Sequence, residues 1–124
     1  MKKELEDIIC AAAPTVMRDM RGDMTKTCLA FGFECGDGWF SLILEAATEL
    51  EALDLDIKAL QVKEKFGGLR FYLDQQPHAA DPIIRRAELR ASAECEDCGA
   101  RGQRGGNGYI RTLCPKHTII KDED

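Results

Sequence analysis

Cys95-Glu96-Asp97-Cys98-Gly99 and, after a fifteen-residue gap from Cys98, Cys114-Pro115-Lys116-His117 decide how this chain is read. A tetrahedral metal ion needs four soft or borderline N/S ligands, and two short ligand pairs separated by a folded loop supply them. The pattern C-x2-C, then C-x2-H, predicts one zinc ion held by Cys95, Cys98, Cys114 and His117. Gly99 follows the first pair, where positive φ lets backbone N–H groups turn toward thiolate sulfurs. Four protein ligands leave no open coordination position, so the predicted site is structural and not catalytic.

Between the pairs lie Gly102, Gly105, Gly106 and Gly108, then an expected strand, Tyr109–Leu113. Pro115 suits a helical start behind Cys114. Knuckle, loop, strand and helix together suggest a treble clef or zinc ribbon. Treble-clef nucleases need a further histidine as base and acidic metal ligands. No His, Asp or Glu occurs between Gly99 and Leu113, which speaks against that activity.

Working back toward the N-terminus, Asp81-Pro82 predicts a helix start. That helix runs to about Ala93, with Ile83, Ile84, Ala87 and Ala91 inward and Arg85, Arg86 and Arg90 outward, beside Glu88 and Glu94. His78 falls in a polar loop and is expected to be solvated. Two alternating runs, Ala59–Phe66 and Leu69–Leu73, flank Gly67-Gly68 and predict a hairpin turning on those two glycines. That turn would place Phe66 opposite Leu69, Glu64 opposite Phe71 and Val62 opposite Leu73. On the other face, Lys65 would meet Arg70 and Lys63 would meet Tyr72. Like charges directly opposed are mildly destabilising. The carboxylates of residues 1–56 are the expected compensation, an external anion the alternative. Glu64, on the apolar face, calls for a bulge or an edge position.

Earlier still, Trp39–Leu53 predicts a helix capped by Asp37, with Phe40, Ile43, Leu44, Ala47 and Leu50 as its apolar stripe and Trp39 in the core. Residues 2–13 predict a helix burying Leu5, Ile8, Ile9, Ala12 and Ala13, ended by Pro14. A short turn through Val16, Met17 and Met20 follows, broken at Gly22. Thr25–Phe33 reads as a short helix running into a loop.

The chain has 124 residues, 44% hydrophobic and 31% charged, a composition that folds as an ordinary globular protein. The expected class is α+β: helices packed on a small antiparallel hairpin, with residues 1–82 as one domain and 83–124 as a helix plus zinc module. The acidic N-terminus, Lys2-Lys3-Glu4-Leu5-Glu6-Asp7, is unlike a signal peptide, and no run is long and apolar enough to span a membrane. A reducing cytosol is expected, with Cys10, Cys28 and Cys35 as small buried hydrophobes. A second metal site from Cys28, Cys35 and His78 matches no ligand spacing. Net charge is −5, but residues 1–82 carry −6 and residues 83–121 carry +4. A dedicated nucleic-acid wrapper has a larger basic excess.

Thr27-Cys28, Gly32-Phe33-Glu34-Cys35-Gly36-Asp37-Gly38-Trp39-Phe40, Gln61-Val62-Lys63-Glu64-Lys65-Phe66-Gly67-Gly68-Leu69-Arg70-Phe71-Tyr72 and Arg111-Thr112-Leu113-Cys114 form a pattern with the two ligand pairs. In this the chain resembles a group of short zinc-binding proteins encoded by bacteriophages and prophages, over most of residues 18–117. The resemblance brings no activity with it. It implies a small accessory protein in the cytoplasm of an infected bacterium, a setting in which inhibitors of host defence are common. The expected function is therefore non-catalytic binding to a host or phage protein. The acidic helical part would compete for a basic surface on that partner. The alternative is a nucleic-acid-binding module using Lys63, Lys65, Arg70 and Tyr72 on the hairpin, with Arg101, Arg104, Arg111 and Lys116 around the zinc. Tyr72 or Tyr109 would stack on bases.

Overall fold

Helix α1 (Lys3–Ala12) runs into hydrogen-bonded turns that place Val16 and Met17 in the interior. The structure, a computed structural model, describes residues 1–20, 22, 27–106 and 108–122; the expected helix start at Thr25 and Lys26 lies outside them. The remaining elements are α2 (Phe40–Ala52), β1 (Ala59–Lys65), β2 (Gly68–Leu73), α3 (Asp81–Ala91), β3 (Gln103–Gly105), β4 (Arg111–Leu113) and α4 (Pro115–Asp122), with short 3-10 turns at Cys28–Phe31, Asp37–Trp39 and His78–Ala80. The class is α+β, with two separate two-stranded antiparallel sheets.

The helices form where periodicity places them; α3 buries the expected Ile83, Ile84, Ala87 and Ala91, but the buried faces of α1 and α2 are rotated. In α1 the inward residues are Glu6 and Ile9, continued by Ala13, while Ile8 stands 49% exposed and Ala12 faces out. The cause is polar. The Glu6 carboxylate accepts the buried Phe33 N–H at 2.8 Å, and a satisfied buried acceptor fixes the roll of the helix. Helix α2 buries Leu42, Ile43, Ala46, Ala47 and Leu50, leaving Phe40 and Leu44 only partly covered. It has a neighbour on each side, α1 and α3, so its covered face is broad. Asp37 does not cap it: a 3-10 turn intervenes, and the Asp37 carboxylate accepts the Lys2 N–H at 2.8 Å instead.

The β1–β2 hairpin turns one residue earlier than expected. Phe66 (φ +53°) and Gly67 (φ +79°) are the loop, a pair of positive φ values that matches the twist of the flanking strands. Val62 therefore faces Phe71, Lys63 faces Arg70, and Glu64 faces Leu69. Phe66 leaves the apolar face and stands 60% exposed. The Glu64 carboxylate accepts the Gly67 N–H at 2.8 Å, which accounts for an acid on the inner face. The irregularity expected near it lies at the far end, between Ala59 and Gln61, where it brings Ala59 inward. Glu34 lines the outer edge of β1: its N–H donates to Val62 O at 2.9 Å and its carbonyl accepts from Glu64 N at 3.0 Å.

Two buried clusters result, and they do not divide at residue 82. The larger runs from Ile9 through α2 and the hairpin to Ile83, Ile84, Ala87 and Ala91, so α3 belongs to it. The smaller contains Cys95, Leu113 and Cys114. Trp39 is fully buried, its indole N–H donating to Glu94 O at 2.9 Å where the two meet. Of the remaining cysteines only Cys35 is buried; Cys10 is half-buried and Cys28 is exposed, because it opens a 3-10 turn at the surface. No helix among the described residues is long and apolar enough to cross a membrane.

A candidate metal centre

Cys95 follows the turn that ends α3, and its backbone starts a tight knuckle. Its N–H donates to Ala100 O at 2.7 Å, and its carbonyl accepts from Gly99 N at 2.8 Å. Gly99 takes φ +82°, as a thiolate-facing turn requires. Strands β3 and β4 pair behind the knuckle, Gln103 with Leu113, Arg104 with Thr112 and Gly105 with Arg111. Strand β4 delivers Cys114 directly to the start of α4, whose first turn carries His117; the His117 and Thr118 N–H groups donate back to Cys114 O at 3.1 and 3.0 Å.

These elements bring the four sequence-predicted ligands together. One donor atom from each of Cys95, Cys98, Cys114 and His117 lies within 4.8 Å of every other, and this set can hold a metal ion. Cys98 Sγ is 3.7 Å from Cys114 Sγ, Cys95 Sγ is 3.5 Å from His117 Nδ1, and Cys114 Sγ is 3.1 Å from His117 Nδ1. The His117 backbone N–H lowers the Cys114 pKa, with further help from the other thiols and the Lys116 N–H. At Cys98 the Ala100 N–H favours the thiolate, but desolvation and the neighbouring sulfurs outweigh it and raise the pKa. Among the described residues no second group containing Cys28, Cys35 or His78 forms, and His78 is solvent-exposed as expected.

The loop Gly36-Asp37-Gly38 grips the knuckle from the main core. Gly38 N–H donates to Glu96 O at 2.7 Å, and Gly36 N–H donates to the Glu96 carboxylate at 2.9 Å. A Cβ at Gly38 would lie 2.1 Å from the Cys95 carbonyl oxygen, so only glycine allows this approach. From the other side Thr112, fully buried, donates its hydroxyl to Gly67 O at 2.7 Å and fastens the hairpin tip to β4. Sequence reasoning missed Glu96, Thr112 and the grip of Gly38. The GDG run signalled a turn, but nothing local shows what a turn will touch.

The predicted partner surface separates into two groups. Arg111 is not part of it: its guanidinium binds Glu96 at 3.2 Å and Asp97 at 2.8 Å, and its side chain is largely covered. Burial alone would lower its pKa, but these carboxylates overcome that and raise it. Arg101 is exposed beside its backbone bridge to Glu94, and Lys116 is exposed on α4. Lys63, Lys65, Arg70 and Tyr72 share the outward face of the hairpin, and Arg104 packs its Cγ over Gly67 at the hairpin tip. The expected internal compensation does not occur: among the described residues none of Lys63, Lys65, Arg70 and Arg104 pairs with a carboxylate. Several of the acids are engaged elsewhere. Glu49 binds Arg86 at 2.6 Å, Glu45 binds Arg90, Asp19 binds Lys58 at 2.9 Å, and Glu51 accepts the Thr15 and Val16 N–H groups at 3.1 and 3.0 Å. Comparison of the chain with protein-family models, with curated proteins and with solved structures finds no match.

Proposed function

We propose that the protein is a small, zinc-stabilised, non-catalytic binding protein. The donor set carries this reading. Zinc bonded at about 2.3 Å to sulfur and about 2.0–2.1 Å to nitrogen gives tetrahedron edges of about 3.8 Å between sulfurs and about 3.6 Å from sulfur to nitrogen. The 3.7 Å Cys98–Cys114 and 3.5 Å Cys95–His117 separations fit those edges, and the 3.1 Å Cys114–His117 pair needs to open by a few tenths of an ångström. Three thiolates and an imidazole fill the coordination shell, leaving no position for water or substrate. The ion would stabilise a segment that buries too little apolar surface to fold by itself. The order of knuckle, hairpin and ligand-bearing helix favours a treble-clef arrangement over a ribbon.

The resemblance to phage and prophage proteins supplies the setting, a bacterial cytoplasm during infection. The finer role we attach is inhibition of a host-defence system by occupying a host or phage protein. An acidic chain suits competition for a basic surface, since complementary potentials orient and speed association. The test has two parts. Elemental analysis of the purified chain is expected to give one zinc per molecule; a folded chain without stoichiometric metal ends the proposal. Tagged protein exposed to bacterial lysate is then expected to retain a stoichiometric protein through nuclease treatment, and loss of every partner on nuclease treatment would remove the protein-directed role.

A further inference from the structure

The hairpin tip breaks a local rule. The first loop position of a turn with two positive φ values ordinarily takes Asn, Asp or Gly, because a bulky side chain is strained there. Here it holds Phe66, at φ +53°, with its ring 60% exposed. The ring adds nothing to the core, and the Lys65 amino group sits 5.7 Å from its centroid. Beside it Lys63 and Arg70 face one another directly across the strands, an arrangement that costs stability. Arg104 comes over the same tip from β3. Tyr72, 45% exposed, stands two residues along from Arg70 on the same face, opposite Gln61. Glu34, whose carboxylate takes the Gln61 amide at 3.3 Å, bounds the face on the β1 side. Strain at an exposed ring, and like charges on one small sheet that pair with no carboxylate among the described residues, are features that core packing does not require and that a ligand would explain.

The geometry points to a binding face for single-stranded nucleic acid, built from Lys63, Lys65, Arg70 and Arg104 as phosphate contacts and from Phe66 and Tyr72 as stacking platforms. Cations alone would suit any polyanion. Exposed rings interleaved with them select a strand whose bases are free to stack, because every base offers a π-face. A duplex keeps its bases stacked internally and gains nothing from these rings. The face requires only the fold and the metal-held tip, and it stands whatever protein the chain also engages.

The experiment uses the metal-loaded full chain and a fluorescein-labelled oligothymidylate of about twelve nucleotides, read by anisotropy. Four phosphate contacts to a single strand predict a slope of log affinity against log salt of about −2.8, or about a fifty-fold loss from 50 to 200 mM. Replacing Lys65 and Arg70 together by Ser is expected to make that slope shallower by about 1.4. Phe66→Asn is the decisive variant. Asn suits the turn, so the fold is retained, while loss of the ring is expected to weaken binding about ten-fold. Trp39 emission and metal content confirm folding in each variant. Absence of binding at about 50 mM salt by a folded, metal-loaded chain overturns this inference and leaves the zinc-stabilised binding protein standing. An equal affinity for a duplex of the same length overturns it too, as does Phe66→Asn binding like wild type. Polyglutamate displacing the oligonucleotide as well as unlabelled oligothymidylate does would identify an acidic polypeptide as the occupant instead.

Discussion

Cys35 shows how a single side chain acquires properties that its identity does not announce. Burial is the main cause that pushes its thiol pKa from 9.0 up to about 12; the N-terminal ammonium opposes the shift, and Glu96, Glu6 and Asp37 add to it. A raised folded pKa means that the protonated thiol is the stable form. Its contribution is complete below pH 9 and is lost as pH rises toward 12. Stability is expected to fall by about 1 kcal/mol between pH 8 and pH 10 from this group, and Cys35→Ala should remove that part of the slope in denaturant titrations at the two pH values. Gly38 is the other position where one atom matters. Gly38→Ala sets a methyl against the Cys95 carbonyl at a distance no real contact tolerates, with backbone on both sides. We expect a loss of about 3 kcal/mol, measured by urea unfolding; a loss below about 0.5 kcal/mol would mean the loop moves freely off the knuckle. The metal donors were legible because ligand chemistry lies in side-chain type and spacing. Arg111 was not, since its guanidinium could serve an external anion or Glu96 and Asp97 equally well until the knuckle brings those acids beside it.

At the scale of elements, periodicity located the helices and strands and the inward face of α3, but not the roll of α1 and α2 or the register of the hairpin. Helix α1 turns its acid inward because Phe33 offers a buried N–H, a partner twenty-seven residues away that no local period reveals. The hairpin moved its turn from Gly67-Gly68 to Phe66-Gly67 while keeping Val62, Leu69 and Phe71 buried, and the tip docks with the Arg111 backbone 3.2 Å from the Gly67 Cβ position, an approach that leaves little room for a side chain. The Phe66 conformation is a testable cost. Phe66→Asn is expected to raise the midpoint of chemical unfolding by up to about 1 kcal/mol in stability, the relief of a bulky residue at positive φ less the lost cation–π contact. A destabilised variant would show that the ring packs against something at the tip. Gly67→Ala is expected to act in the opposite direction, because both its φ and its contact with β4 exclude a side chain.

For the molecule as a whole, the metal module and the helical core are fastened at three places: Trp39 to Glu94, Gly36 and Gly38 to Glu96, and Thr112 to Gly67. Loss of one metal ligand should therefore reach beyond residues 95–117. Cys98→Ser, or removal of the metal by a chelator, is expected to lower the thermal midpoint by about 15 °C or more and to shift Trp39 emission to the red in the same transition. Two separate transitions, with Trp39 unaffected by the first, would show that the fasteners are weaker than their geometry suggests. The sequence by itself determined the ligand set, the α+β class and the rough positions of the helices and the main hairpin, because these depend on short-range spacing, periodicity and side-chain chemistry. Only the tertiary structure decided that α3 joins the main core, that the GDG loop seats the knuckle, and that Lys63, Lys65 and Arg70 pair with no carboxylate among the described residues while Glu45, Glu49, Glu51 and Asp19 bind elsewhere. Each of those depends on which distant groups meet, and buried hydrogen bonds and close backbone approaches, not local preference, set that choice.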